Sequence, residues 1–250
     1  MKNEKIKSLK SLLLVFMLAL TWACDSGDDS GPVEPETKGP ISGEVNLYNS
    51  QGVPTAYEDM TVTIVGTSMN TKTNNRGKFN FSSVDFGEYQ LEFKKEGFGT
   101  FYKTVEHNKG FSVNGTVLTT LSLGRISNTA IYDAIPSQKN GDIKVRVTTI
   151  PVGTSTDPVY VTFFFDSEVT VSNTENEGIK GPIAFFSGQG TNEVTITASE
   201  LASMGFTSGE TVYFRVYGDS FHTNAYVGAA GTVHPNAKTP GSSTMSVVLP

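Results

Sequence analysis

Three histidines, several carboxylate pairs and a single thiol are the residues of this 250-residue chain whose types could do chemistry, and their spacing decides between the possibilities. His107, His222 and His234 lie in different segments, none with a second His, Cys or carboxylate spaced to put two ligands on one strand face, so no metal centre is expected. Ser and Asp are plentiful, but no glycine-flanked nucleophile elbow accompanies them. Glu175 and Glu177 could share acid and base roles, yet they sit in the polar stretch 173–178, where two solvated carboxylates are the more economical reading. Asp25, Asp28 and Asp29 lack the remaining ligands of a calcium loop. That leaves Cys24, the only cysteine, with no partner for a disulfide and no neighbour for a metal; it reads as a residue placed to be modified.

What precedes Cys24 supplies the modification. Lys2, Lys5, Lys7 and Lys10 make a positive start, Leu12 to Leu20 an apolar run too short to span a bilayer, and Ala23 a small residue before the thiol. This stretch resembles a bacterial lipoprotein signal, which implies cleavage before Cys24 and diacylglycerol on its sulfur. Thr21 and Trp22 stand where that motif prefers Leu and a small residue, a departure that the degenerate versions of Bacteroidetes tolerate. Asp25, Ser26, Gly27, Asp28 and Asp29 resemble the acidic export signal that sends such lipoproteins to the outer leaflet of the outer membrane. The same composition, poor in apolar residues up to Lys38, also reads simply as a solvated tether.

Binding chemistry is a stronger expectation than catalysis. Exposed aromatics can stack on the apolar faces of sugar rings without charge, and Tyr132, Tyr160, Tyr217, Phe221 with His222, and Tyr226 are the candidates. Tyr217, Phe221, His222 and Tyr226 are the preferred ligand contacts. Three of them fall within Gly218 to Pro240, a long stretch rich in Gly, Asn and Pro, as binding loops on rigid scaffolds are. Without residues 1–23 the chain has 15 Lys+Arg against 24 Asp+Glu, compared with 19 and 25 for all 250 residues. An acidic surface repels phosphate backbones, so nucleic acid is not an expected partner.

The elements that must position these residues are strands. Ile41, Gly43, Val45 and Leu47 alternate with polar residues, as do Met60, Val62 and Ile64, then Phe79 and Phe81, then Tyr89, Leu91 and Phe93, with further strands over Thr100 to Val105 and Thr116 to Leu123. The ordered series Ile41-Ser42-Gly43-Glu44-Val45, Gly52-Val53-Pro54, Val62-Thr63-Ile64, Gly77-Lys78-Phe79-Asn80-Phe81, Gly87 to Phe93 and Gly97-Phe98 resembles a carboxypeptidase regulatory-like domain. That resemblance implies a small seven-stranded, prealbumin-like sandwich that is ordinarily non-catalytic. Beyond it, Ile143 to Val147, Val159 to Phe165, Val194 and Ile196, Val212 to Val216 and Met245 to Leu249 read as strands, with one helical turn over Thr197 to Leu201. The segment Gly209 to Gly218 is similar to a late strand of fibronectin type III or immunoglobulin-like sandwiches.

The expected molecule is therefore all-β, two consecutive β-sandwich domains behind a cleaved lipoprotein signal and a flexible linker: signal 1–23, acidic tether 24–38, regulatory-like sandwich 39–124 and immunoglobulin or fibronectin type III-like sandwich 125–250. It is expected to be non-catalytic, without cofactor or metal, and held at the outer membrane, facing the exterior, by a lipid on Cys24. The expected role is accessory to an outer-membrane nutrient-uptake or adhesion complex. The alternative is direct glycan binding by the loop aromatics of the second domain.

Overall fold

The computed structural model describes residues 37–109 and 115–250. The signal, Cys24 and the acidic run fall outside the described residues. Thr37–Pro250 form one compact unit, within which two separate apolar cores divide at the centre of the chain.

Eight strands surround the first core: β1 (Lys38–Tyr48), β2 (Thr61–Ile64), β3 (Asn70–Lys72), β4 (Lys78–Asp85), β5 (Gly87–Lys94), β6 (Phe101–His107), β7 (Thr116–Val117) and β8 (Leu121–Gly124). One sheet runs β3-β2-β5-β6, all antiparallel; the other is built on β1, antiparallel to β4 and parallel to β7 and β8. Period-two alternation sends Ile41, Val45, Leu47, Val62, Leu91 and Phe93 inward to complete burial. Phe79 meets Phe81 and Phe93 edge-on at 6.4 and 5.7 Å, filling the space between the sheets. A Cβ on Gly43 would come within 2.7 Å of the Phe79 ring, so the glycine makes room for it. The run Thr116 to Leu123, expected as one strand, is two. Ile41 pairs with Thr116 and Val45 with Leu121, so four steps along β1 face five along its partner, and the extra residue breaks the ladder.

The second half holds β9 (Ala130–Lys139), β10 (Asp142–Ile150), β11 (Val159–Asp166), β12 (Gly178–Phe185), β13 (Thr191–Ile196), α1 (Ala198–Ser203), β14 (Thr211–Asp219), β15 (Tyr226–Gly228), β16 (Gly231–Val233) and β17 (Met245–Val248). Three strands, β13-β10-β9, face four, β12-β11-β14-β17, with every neighbour antiparallel. Three strands on four make a β-sandwich, the architecture expected for this half of the chain. The helical turn is α1, started by a capping box in which Thr197 and Glu200 satisfy each other's backbone N–H groups.

The connection from β14 to β17 is long and does not hang free. Residues 220–244, including the β15–β16 hairpin, fold over the outer face of the four-stranded sheet and bury a third cluster of Phe164, Val171, Tyr217 and Ala237. β11 is thereby covered on both sides, with Phe163 and Phe165 in the sandwich core and Phe164 beneath this strap.

Candidate functional site at the junction of the sandwiches

The strap that leaves β14 also binds the first sandwich, through two buried asparagines. The Asn224 side chain accepts from the Gly124 N–H at 2.7 Å and donates to the Gly124 carbonyl at 3.0 Å. Asn236 accepts from the Gly99 N–H at 2.9 Å and donates to the carbonyls of Gly124 at 3.0 Å and His222 at 2.7 Å, while its own carbonyl accepts from the Ser127 N–H. The two amides bond each other at 3.2 Å. Ser220 adds a hydroxyl bond to the Arg125 carbonyl, and the Phe221 N–H donates to Ser50. Glycine is needed at 99 and 124 because a Cβ there would run into the carbonyls of Pro235 and His222. No buried side-chain amide or hydroxyl of this network lacks a partner, and such a network is costly to disturb in part.

Around it lie the aromatics singled out in the sequence. Rings run across the junction from Tyr48 through His222 and Phe221 to Tyr160, with centroids 4.3, 4.8 and 5.6 Å apart. Phe221 is 50% exposed, and with His222, Phe101, Leu121 and Leu123 it lines an open cleft of about 350 Å³. The interplanar angles of 39, 87 and 65° make this a folded-up cluster and not a flat platform. Burial holds His222 below the ordinary imidazole value and pushes the Tyr160 and Tyr226 hydroxyls up.

One of the four preferred contacts is corrected. Tyr217 is a core residue, 2% exposed, edge-on to Phe164 at 5.5 Å with the Arg215 guanidinium 5.3 Å from its ring. Tyr226 is half-buried against Phe101 and Tyr102 of the first sandwich. The stretch 218–240 is a structural strap: alternation along β14 turns Tyr217 outward, but the strap supplies a layer that makes outward mean buried. Of the other aromatics considered, Tyr132 stands 74% exposed at the irregularity between β9 and β10.

The regulatory-like pattern quoted from the sequence coincides with the first sandwich, and residues 40–122 match the family model of the carboxypeptidase regulatory-like domain. The first sandwich is similar to this family. No curated protein matches the chain. Among solved structures the chain is similar to a proposed carbohydrate binding protein of Bacteroides uniformis, at 16% identity over 84% of this chain and 99% of that one, with a TM-score of 0.34. It is likewise similar to DUF3823 family proteins of Parabacteroides merdae (12% identity, 84% and 98% covered, TM-score 0.31) and Bacteroides ovatus (14%, 85% and 100%, 0.32).

The histidines outside the ring cluster are structural. In the first sandwich, buried His107 bonds the Thr116 hydroxyl through Nδ1 at 2.7 Å and the Val84 carbonyl through Nε2 at 3.2 Å; a carbonyl only accepts, so Nε2 carries the proton. His234 bonds Asp219 Oδ2 through Nδ1 at 2.8 Å, and the Thr162 hydroxyl donates to that same oxygen at 2.8 Å. These are the residue types of a hydrolytic triad wired differently. In a triad the imidazole stands between carboxylate and hydroxyl, whereas here hydroxyl and imidazole share the carboxylate, so the base cannot take the hydroxyl proton. The cluster latches the strap to β11 and β14. Glu177 accepts from the backbone and hydroxyl of Ser167, which ties the 173–178 loop down. Among the described residues no group of three or more His, Cys, Asp or Glu is placed to hold a metal.

The sequence reading missed Asn224, Asn236, Gly99, Gly124 and Asp219. The available signal was Phe163-Phe164-Phe165: three consecutive aromatics cannot all face one core, so a second apolar layer was required.

Proposed function

We propose that this chain is a non-catalytic binding or structural module, anchored through a lipid on Cys24 to the outer face of the outer membrane and accessory to a nutrient-uptake or adhesion complex there. The observation that carries the reading is the junction: Asn224 and Asn236 join the first sandwich to the second through buried hydrogen bonds. A fixed angle between two sandwiches serves presentation of a surface, and a hydrolytic site would need an activated group that the Thr162–Asp219–His234 wiring does not supply.

The deciding experiment is co-purification from detergent-solubilised outer membrane of a host carrying the tagged full chain, beside a Cys24→Ala chain. The expected result is a stoichiometric outer-membrane protein bound to the wild type, and release of the Cys24→Ala protein into the soluble fraction with its fold intact. A wild-type chain recovered alone would overturn the accessory role; a Cys24→Ala chain still attached to membrane would overturn the anchor.

A further inference from the structure

We propose that the cleft between the free edges of β12 and β13 is a binding site for a neutral saccharide, with Phe186 as its stacking surface. β12 and β13 are the outermost strands of opposing sheets. Where the sandwich gapes between them there is a cleft of about 470 Å³, with Ile183, Phe185 and Val194 as its apolar floor and Phe186, Gln189 and Asn192 at its rim. Phe185 enters the core, and the next residue turns its ring to solvent, leaving Phe186 61% exposed beside the cleft.

The polar side of the cleft is held in place. Ser187 donates its hydroxyl to Asn192 Oδ1 at 3.2 Å and accepts from the Gln189 N–H, Asn192 donates to the Gln189 carbonyl at 3.3 Å, and the Gly188 N–H bonds Gly153. Asn192 still has one N–H and one lone pair to offer, and the Gln189 amide makes no bond among the described residues. Charge selects the ligand class. The charged residues that line the cleft are both engaged, Lys180 with Glu200 and Glu193 with Lys144 at 3.1 Å. A phosphate or carboxylate would find no unpaired cation among the lining residues, and an apolar side chain would offer the rim amides no partner. A neutral pyranose offers what remains wanted: a face of C–H groups for the ring and an edge of hydroxyls for the amides.

This inference deepens the binding half of the function proposed above and rests on it. The test is electrophoresis of the full chain, solubilised in a polyoxyethylene detergent, through native gels cast with amylopectin, xylan, galactomannan or galactan. At least one polysaccharide should retard the wild type; Phe186→Ala should abolish that retardation and Gln189→Ala should reduce it, while Phe221→Ala, in the junction cleft, migrates as wild type. Phe186 lies outside the core, so its removal should leave the unfolding midpoint in place. Free migration of the wild type in all four gels, retardation that survives Phe186→Ala, or retardation lost only in Phe221→Ala would each overturn the proposal. None of these results bears on co-purification or on the Cys24 anchor, so the two readings fail separately.

Discussion

Asn236 concentrates more of the junction than any other side chain, since its one amide serves Gly99, Gly124 and His222 at once. Asn236→Ala would take the partner from the Gly99 N–H and the His222 carbonyl and leave the Gly124 carbonyl with Asn224 alone. An unsatisfied buried group costs roughly 1–3 kcal/mol, and the expected result in urea titration is a loss of that order. Asn236→Asp keeps the acceptor for Gly99 but turns a buried carboxylate oxygen on the Gly124 and His222 carbonyls, and should cost at least as much. His222 gives the junction a pH dependence. Its folded value lies below the ordinary 6.5 because burial disfavours the cation. Below 6.5 the unfolded chain therefore binds more protons than the folded one. Stability should be level above that value and decline as the pH drops through the window between 6.5 and the lowered folded value. Glu200 is also lowered, from 4.5, by its bond to Lys180 and by the Thr197 N–H, so its contribution is present above 4.5 and is lost only in a more acid range. Melting temperatures from pH 7.5 to 5 should show the first decline in the wild type and not in His222→Asn.

At the scale of elements, β11 is the strand on which two layers depend. Phe164→Ala removes the aromatic that Tyr217 and His234 both pack against, at 5.5 and 5.1 Å, and deletion of a buried Phe costs about 3–5 kcal/mol. The distinguishing expectation is positional: limited proteolysis should cut within 220–244 in Phe164→Ala while the wild type resists. Asparagines 224 and 236 would then become accessible with the strap. Strands with a clean alternation, such as β1, β4, β5 and β10, were legible in the sequence. β9 and β12 were not, and the reason is shared: Pro136 interrupts one and Gly181-Pro182 the other. Both are edge strands, where a residue without an N–H is tolerated because no neighbour waits for it. The strap was legible as a long polar connection but not as a layer. Its buried bonds run between residues more than a hundred positions apart, and no local pattern encodes them.

For the whole molecule, the two cores and the single compact unit stand in productive tension. Each sandwich encloses its own apolar cluster, so each has what a domain needs to hold itself together. What joins them is limited: the buried bonds of two amides, two glycines and a serine, with Tyr48 against His222 and Tyr226 against Phe101 and Tyr102 at their flanks. A double variant, Asn224→Ala with Asn236→Ala, should therefore uncouple the sandwiches without unfolding either. Calorimetry should then resolve two transitions where the wild type gives one, and small-angle scattering should report a larger radius of gyration. A single, merely earlier transition would mean that one sandwich cannot stand without the other.

The placement of the strap between β14 and β17 also sets an order of events. Gly99 and Gly124 are made early, but the amides that satisfy them come 137 and 112 residues later. A chain emerging from its N-terminus can close the first core long before Asn236 exists. During that interval the backbone groups of Gly99 and Gly124 have only water to bond. Long-range closures of this kind come late and slowly. Assembly of the junction thus reports that the last strand pair is in reach, and a product cut short before residue 220 carries an open, wettable seam that marks it as unfinished.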